Sequence, residues 1–358
     1  MTINEIVLLR LYNQQISHHV SNTPEEVVAW MGAIQAQDYA GAKWSLGLRL
    51  PNGTESDIDK AIAQKAIVRT WPMRGTLHFV AADDVRWMLK LLTPRIIAGS
   101  SGRNRQLELD ETIFNKSHDL LISAMEGGKQ LMRSEVYAIL ENAGITTTGQ
   151  RGIHIINYLA QKQILCHGVH NEKQPTYALL DEWIPVSKSL EGKEALAELA
   201  LRYFKSHGPA TLNDFVWWSG LKISDAKEGL NAVMSMLERI ECEGKTYWTE
   251  TGHPKTNAIQ TTFLLPGFDE YMLGYTDRTL ILAAQHAGKI VPGNNGMFMP
   301  TIIIDGRVKG LWKRVLKKDK ISIEVIPFEK FTKAKMKAIT VEAEKYGDYL
   351  GKSVSLVN

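Results

Sequence analysis

The chain has 358 residues, of which 44% are hydrophobic and 23% charged, and its formal net charge at pH 7 is +3. This composition excludes an extensively disordered protein and predicts two or three domains. The mild net charge means that any nucleic-acid binding depends on local basic patches. Two cysteines provide neither a disulfide framework nor a zinc quartet. No apolar run is long enough for a signal peptide or a membrane span, so we expect a cytoplasmic protein without membrane contact.

The N-terminal region predicts two helices followed by two strands. Residues 23–35, TPEEVVAWMGAIQ, have helical apolar spacing with Thr23 as a cap. Residues 55–65 predict a second helix. The β-rich runs AIVRTW and GTLHFV then flank PMRG, which is typical of a turn.

The same order recurs twice, more clearly. Met132–Ile145 and Thr211–Leu221 each predict a capped short helix that ends near a glycine, and a second helix follows each. ILCHG at 164–168 and IECEG at 240–244 then carry Ile, Cys and Gly in matching places, ahead of a second extended run. Helix, helix and β-hairpin is the order of a winged helix.

Beyond Thr251 the sequence is β-rich, with Asp305-Gly306 as a hairpin turn and a charged helix from about Phe328 to Tyr346. We therefore predict an α+β fold of three tandem winged-helix units and a β-rich C-terminal part. The predicted boundaries are 1–100, 101–187 and 188–252 for the three units, and 253–358 for the β-rich part.

Winged helices commonly bind DNA, although others serve as protein scaffolds. Between Arg307 and Lys320, seven Lys or Arg residues stand against a single acid, Asp319, with Trp312 among them. Such a hairpin suits phosphate contacts or a wedge into a duplex; a solvated face is the alternative. The residues predicted to hold DNA here are Arg307, Lys309, Lys313 and Arg314.

Four blocks occur in order along the chain: IQAQDYAGAKWSLGLR, RTWPMRGTLHFVAADD, LLPGFDEYMLGYTDR and NGMFMPTIIIDGRVKGLWKR. Together they resemble the winged-helix DNA glycosylases that unhook interstrand crosslinks, the AlkZ/YcaQ-like family. The resemblance implies a C-shaped body, monofunctional excision of N7-alkylated guanine from damaged double-stranded DNA, and no metal or organic cofactor. It also implies that Gln35-Ala36-Gln37 is the catalytic motif. We expect the protein to act as a monomer.

Two amides suit this chemistry. In an extended segment, Gln35 and Gln37 share a face and can reach into one pocket. Glutamine cannot deprotonate water, but it can orient water and stabilise an oxocarbenium-like sugar. An N7-alkylguanine already carries a positive charge and departs as a neutral base without an acid. The alternative is that both glutamines merely end a helix, with Asp38 next door as a backbone cap.

Other polar residues in the four blocks are candidates for DNA contact. Arg74 is predicted to hold a phosphate, with a surface salt bridge as the alternative. His78 is predicted to contact the lesion phosphate or the flipped sugar, with an ordinary structural hydrogen bond as the alternative. Arg278 is a further candidate, against an internal brace with Asp269 or Asp277. A metal site at Cys166, His167 and His170 is not expected, because no fourth ligand follows. Two neighbouring tryptophans, Trp217 and Trp218, are predicted to be core residues.

Two other classes of protein remain open at this point. A non-catalytic winged-helix regulator would bind specific undamaged DNA and would not need the two glutamines. A protein that sequesters an alkylating metabolite would bind it without DNA and would not need the basic hairpin.

Overall fold

The computed structural model describes residues 1–252, 262–294 and 296–357. The chain divides into a first unit of residues 1–58 and 196–358 and a second unit of residues 59–195. Both units mix helices with strands, as an α+β chain requires. The four predicted domain boundaries stay a prediction, and residues 253–261, where the β-rich part was predicted to begin, lie outside the described residues. Within the described ranges, no helix is both long and apolar enough to cross a membrane.

Groups of helices and strands follow one another along the chain. The helices are α1 (Ile3–Asn13), α2 (Pro24–Met31), α3 (Tyr39–Gly47), α4 (Glu55–Ala63), α5 (Val85–Gly99), α6 (Ser101–Gln106), α7 (Glu111–Met125), α8 (Arg133–Asn142), α9 (Arg151–Gln161), α10 (Leu180–Trp183), α11 (Gly192–Ser206), α12 (Leu212–Ser219), α13 (Ile223–Val233), α14 (Glu270–Leu273), α15 (Ala287–Ile290) and α16 (Lys333–Leu350). The strands are β1 (Ile34–Gln35), β2 (Ile67–Met73), β3 (Thr76–Ala81), β4 (Leu131–Met132), β5 (Leu165–His167), β6 (Thr176–Leu179), β7 (Leu237–Cys242), β8 (Lys245–Glu250), β9 (Thr262–Leu265), β10 (Thr301–Ile304), β11 (Arg307–Leu316), β12 (Lys320–Pro327) and β13 (Ser353–Val357).

The first unit is built on a five-stranded sheet in the order β13-β12-β11-β10-β9. Neighbouring strands are antiparallel except for the parallel pair β12–β13. Asp305 and Gly306 form the predicted turn between β10 and β11, with φ values of 53° and 71°. Such positive values match the twist of a tight hairpin and favour glycine. The last helix, α16, begins at Lys333 rather than near Phe328, because Thr332 accepts a capping bond from Lys335.

The sheet and α1 share one apolar core. Ile6, Val7 and Leu11 of α1 are fully buried in the same cluster as Leu265 of β9 and Ile303 of β10. Removing these side chains from water supplies the main stabilisation of the unit. This core fixes the end of β9, after which the chain continues into the candidate site.

The second unit contains five strands that follow one another in the order β3-β2-β5-β6-β4, with antiparallel pairing throughout. Its core collects Trp71 from β2 with Leu121, Val136 and Ile156 from three helices. The two strands predicted in the N-terminal region are confirmed as β2 and β3, and Arg74 and Gly75 turn between them with φ values of 53° and 70°.

The predicted order of helix, helix and hairpin is present at two places. It is formed by α8, α9, β5 and β6 in the second unit, and by α12, α13, β7 and β8 in the first. Within the described part of the chain, β7 and β8 form a two-stranded sheet, whereas β5 and β6 belong to a larger sheet. Their assignment as winged helices stays a prediction.

Candidate active site

The two candidate glutamines lie in a short connection between two helices, residues 32–38, which we call the glutamine link. Helix α2 ends at Met31, and its C-cap Gly32 has a φ of +77°. The chain then runs extended through Ile34 and Gln35 before α3 begins at Tyr39. Gln35 is 8% exposed, whereas Gln37 is exposed. The extended segment predicted at Gln35 is therefore confirmed, while a shared pocket for both amides stays a prediction.

A buried carboxylate holds the main chain of the glutamine link. The backbone N–H of Gln35 donates to Oε1 of Glu270 at 2.9 Å, and Nε1 of Trp218 donates to Oε2 of the same carboxylate at 3.0 Å. Glu270 and Trp218 are fully buried. Sequence reasoning missed Glu270, although it lies in the FDEYMLGYTDR block. The one available signal for a functional carboxylate in this block was the pair of adjacent acids, Asp269 and Glu270.

The neighbouring carboxylate, Asp269, holds α3. Its oxygens accept from Nη1 and Nη2 of Arg49 at 2.9 and 3.0 Å and from Oγ of Ser45 at 2.7 Å. Asp269 also caps α14 by accepting from the backbone N–H of Tyr271. The predicted internal Asp–Arg brace therefore exists, but its arginine is Arg49 and not Arg278. Both members are fully buried, so the loss of either charge leaves the other uncompensated.

Asp38 is exposed and occupies the N-cap position of α3, but its side chain forms no capping bond. Its carboxylate instead lies beside Gly41, where an added Cβ would stand 2.5 Å from Oδ2. The prediction that Asp38 caps the backbone of α3 is therefore wrong.

Arg74 and His78 contact each other. His78 is fully buried; its Nδ1 lies 2.9 Å from the carbonyl oxygen of Thr76, and its Nε2 lies 3.2 Å from Nη2 of Arg74. Since a carbonyl only accepts and a guanidinium only donates, the ring carries its hydrogen on Nδ1. These contacts support the structural alternative for His78, and a DNA contact by the half-buried Arg74 stays a prediction.

Arg278 is packed against the body of the first unit. Its Nε donates to the carbonyl of Met272 at 2.7 Å, and its guanidinium lies over the rings of Trp217 and Phe298. Trp217 itself is 46% exposed, so its predicted core position is wrong, while that of Trp218 is confirmed. The two residues are adjacent on α12 and therefore point about 100° apart.

Asp277 pairs with Lys245 rather than with an arginine, with an Oδ2–Nζ distance of 2.6 Å. Partial burial raises the pKa of Asp277, but hydrogen bonds from Lys245 and Thr279 outweigh burial and lower it to about 2. Both side chains are more than a third exposed, so this pair belongs to the surface.

The basic hairpin, residues 307–327, separates its cations into two groups. Ten residues of extended chain span about 30 Å, so Arg307 and Lys309 lie at the opposite end of β11 from the tip. Arg307 donates to Oδ1 of Asn4 at 3.0 Å. Near the tip, Lys313 is exposed and Arg314 donates to the hydroxyl of Tyr346. Hydrophobic side chains are also exposed there, Val315 at 59% and Leu316 at 53%.

Trp312 is not part of that exposed surface. It is 1% exposed and its Nε1 donates to the carbonyl of Leu265 at 2.8 Å. The alternating pattern of β11 turns it into the sheet's covered face, so it cannot stack on a base.

No three His, Cys, Asp or Glu side chains gather into a possible metal site anywhere in residues 1–252, 262–294 and 296–357. His167 is fully enclosed, and burial lowers its pKa well below the usual range. Burial likewise raises the pKa of the Cys166 thiol. Both residues are core groups of the second unit.

A family model described as DNA glycosylase AlkZ-like matches residues 28–349. The chain belongs to this family. The predicted resemblance is thereby confirmed, and the protein is a DNA glycosylase.

Similarity to Streptomyces sahachiroi is found both in sequence and in structure. An interstrand DNA cross-link repair glycosylase from Streptomyces sahachiroi is 24% identical over 357 residues, which covers 95% of this chain and 94% of the relative. The solved structure of Streptomyces sahachiroi DNA glycosylase AlkZ matches with a TM-score of 0.82 at 21% identity and covers all of both chains. The fold is therefore shared over the whole length. The range matched by the family includes the glutamine link, Glu270 and the basic hairpin.

Proposed function

We propose that this DNA glycosylase hydrolyses the N-glycosidic bond of N7-alkylated guanine and unhooks interstrand crosslinks, with water as the nucleophile. The observation that carries the proposal is the glutamine link, where Gln35 and Gln37 stand one residue apart and the main chain is tied to a buried carboxylate. The crosslink part is supported by the name of the Streptomyces sahachiroi relative, an interstrand DNA cross-link repair glycosylase.

The chemistry of the lesion explains why two amides suffice. Alkylation at N7 gives the base a positive charge. When the glycosidic bond breaks, its electron pair stays with the base and neutralises that charge, so the base leaves neutral without a proton from an acid. Positive charge then develops on the sugar. Amide oxygens held in place stabilise that charge and orient the attacking water. An undamaged purine would leave as an anion, which two amides do not support.

The exposed end of the basic hairpin is the best candidate for holding the damaged duplex. Lys313, Lys317 and Lys318 are exposed there, and lysines neutralise phosphates without reading sequence. Arg307 and Lys309 stand at the far end of the strand, so we give them a smaller share of the binding. The cytoplasmic location and the monomeric state remain expectations.

The proposal is tested by base release from a duplex that carries one 7-methylguanine, under single-turnover conditions and after subtraction of spontaneous depurination. We expect Gln35→Ala and Gln37→Ala each to lower the rate on the order of a hundredfold, as loss of a preorganised transition-state contact does. Gln64→Ala, an exposed glutamine outside the link, is the matched control and should leave the rate unchanged.

Equal rates in wild type and both variants would show that the glutamines only connect two helices. A second duplex with a bulky N7 crosslink is assayed in parallel. Failure to release either lesion above background would overturn the proposed substrate class. Membership in a glycosylase family already favours an enzyme over a regulator or a sequestering protein.

A further inference from the structure

We infer that Glu270 is a positioning residue for the proposed reaction: its carboxylate sets where the main chain of Gln35 runs and thereby aims the catalytic amides. The inference rests on the proposed function of the glutamine link. Glu270 acts only through Gln35 and needs no contact with DNA for this role.

The placement of this carboxylate requires an explanation, because a carboxylate inside a protein loses its hydration. Glu270 is fully buried at the start of α14, and 235 residues of chain separate it from Gln35. Its two oxygens receive donors from two different elements, the main-chain N–H of the link and the indole of α12. One carboxylate therefore joins the link to the core of the first unit.

Trp218 contacts the glutamine link as well as Glu270. Gly32, at the start of the link, has a φ of +77°, and a Cβ added there would lie 3.3 Å from Cη2 of Trp218. The indole thus covers the beginning of the link while its Nε1 orients Glu270. Both ends of the residues 32–35 segment are held by this pair of contacts.

His207 lies behind the carboxylate. The hydroxyl of Ser206 donates to the carbonyl of Arg202, and its oxygen lies 2.8 Å from Nδ1 of His207. Burial lowers the pKa of His207, although the nearby Glu270 carboxylate raises it. Nε2 of His207 lies 3.6 Å from Oε2 of Glu270, which is longer than a hydrogen bond.

This arrangement makes Glu270→Gln a sharp test. The amide has one acceptor oxygen and one donor NH₂, but the site supplies two donors, from Gln35 and Trp218. One of the two N–H groups must then face another donor. We expect the single-turnover release of 7-methylguanine to fall at least about tenfold, because small misplacement of catalytic groups is costly. Affinity for the lesion duplex should not change.

A second substitution should restore the rate. Trp218→Phe removes the indole N–H, so in Glu270→Gln/Trp218→Phe the amide oxygen can accept from Gln35 without the NH₂ facing the indole donor. We expect the double variant to release base nearly as fast as Trp218→Phe alone. Such non-additivity indicates that Glu270 and Trp218 are coupled, whereas independent structural damage would add. Thermal unfolding of each variant separates loss of stability from loss of rate.

Amide hydrogen exchange at Gln35 provides a readout that does not depend on activity. Exchange should be faster in Glu270→Gln than in wild type and slow again in the double variant. Unchanged exchange, an unchanged rate in Glu270→Gln, or no recovery in the double variant overturns the inference. If Gln35→Ala itself retains the wild-type rate, the proposed function fails instead, whatever Glu270→Gln does.

Discussion

The glutamine link and the basic hairpin differ in how their positions are fixed. The link is short and a hydrogen bond ties it to the fully buried carboxylate of Glu270, and Ser45 in the helix that follows donates to a second buried carboxylate, Asp269. The hairpin extends as a ladder of main-chain bonds, and the side chains near its tip are exposed.

The difference matches two demands of the proposed reaction. Transition-state contacts must be placed to a fraction of an ångström, which needs packed and hydrogen-bonded support. Contacts with phosphates depend on net charge and tolerate movement. Substitutions behind the link should therefore affect stability or rate, and substitutions on the hairpin should affect affinity.

The largest effect is expected for Asp269→Asn. This change removes the charge opposite Arg49 in a pair with no exposed surface, and breaking such a pair costs about 3–5 kcal/mol. Chemical denaturation measures the loss. The control is Asp277→Asn. The partner of Asp277, Lys245, is half exposed, so the loss of this ion pair should cost less than about 1 kcal/mol of stability. Equal losses in the two variants would contradict the contrast between buried and exposed anchors.

A smaller effect is expected at the start of the link. Gly32→Ala places a Cβ at a φ of +77° and 3.3 Å from Trp218, and such backbone strain costs about 1–3 kcal/mol. Gly128→Ala is matched, since Gly128 has a φ of +78° and open space around its Cβ. The difference between the two denaturation midpoints reports the effect of Trp218. If Gly32→Ala loses no more stability than Gly128→Ala, the indole of Trp218 moves aside to accommodate the added Cβ.

The hairpin should respond differently. Lys313→Gln combined with Lys317→Gln is expected to weaken binding of any duplex and to reduce the salt dependence of binding by about 0.9 for each phosphate that is no longer neutralised. Stability and the rate at saturating enzyme should not change, because both side chains are exposed. Lys309→Gln at the far end of β11 is the comparison. If it weakens binding as much as the tip variant, the duplex does not prefer the tip.

Sequence reasoning succeeded where local chemistry decides the structure. Asp305-Gly306 forms the predicted turn because these residues tolerate positive φ. The start of α2 followed from the cap at Thr23, although the helix ends at Met31 and not near Ile34, where its predicted apolar spacing ends. Both features depend on only a few neighbouring residues.

The support of the site could not be predicted in the same way. Glu270 reaches Gln35 across 235 residues and Asp269 reaches Arg49 across 220, so no local pattern links them. The burial of individual side chains could not be predicted either. Trp312 lies in a basic run yet faces the core, and Trp217 is exposed beside a buried Trp218. These outcomes depend on which faces the sheet and helices cover, and that is set by tertiary packing.

The smallest effect concerns the surface pair of Asp277 and Lys245. Because the pKa of Asp277 is lowered from 3.8 to about 2, the carboxylate stabilises the folded state above about pH 4, and this contribution is lost as the pH falls toward 2. Solvent screening limits it to less than about 1 kcal/mol. Acid denaturation of wild type and Asp277→Asn between pH 5 and pH 2 should give curves that differ at the upper end and converge at the lower end. A constant difference across this window would mean that the pair does not hold the pKa down, and that Lys245 and Asp277 contribute only packing.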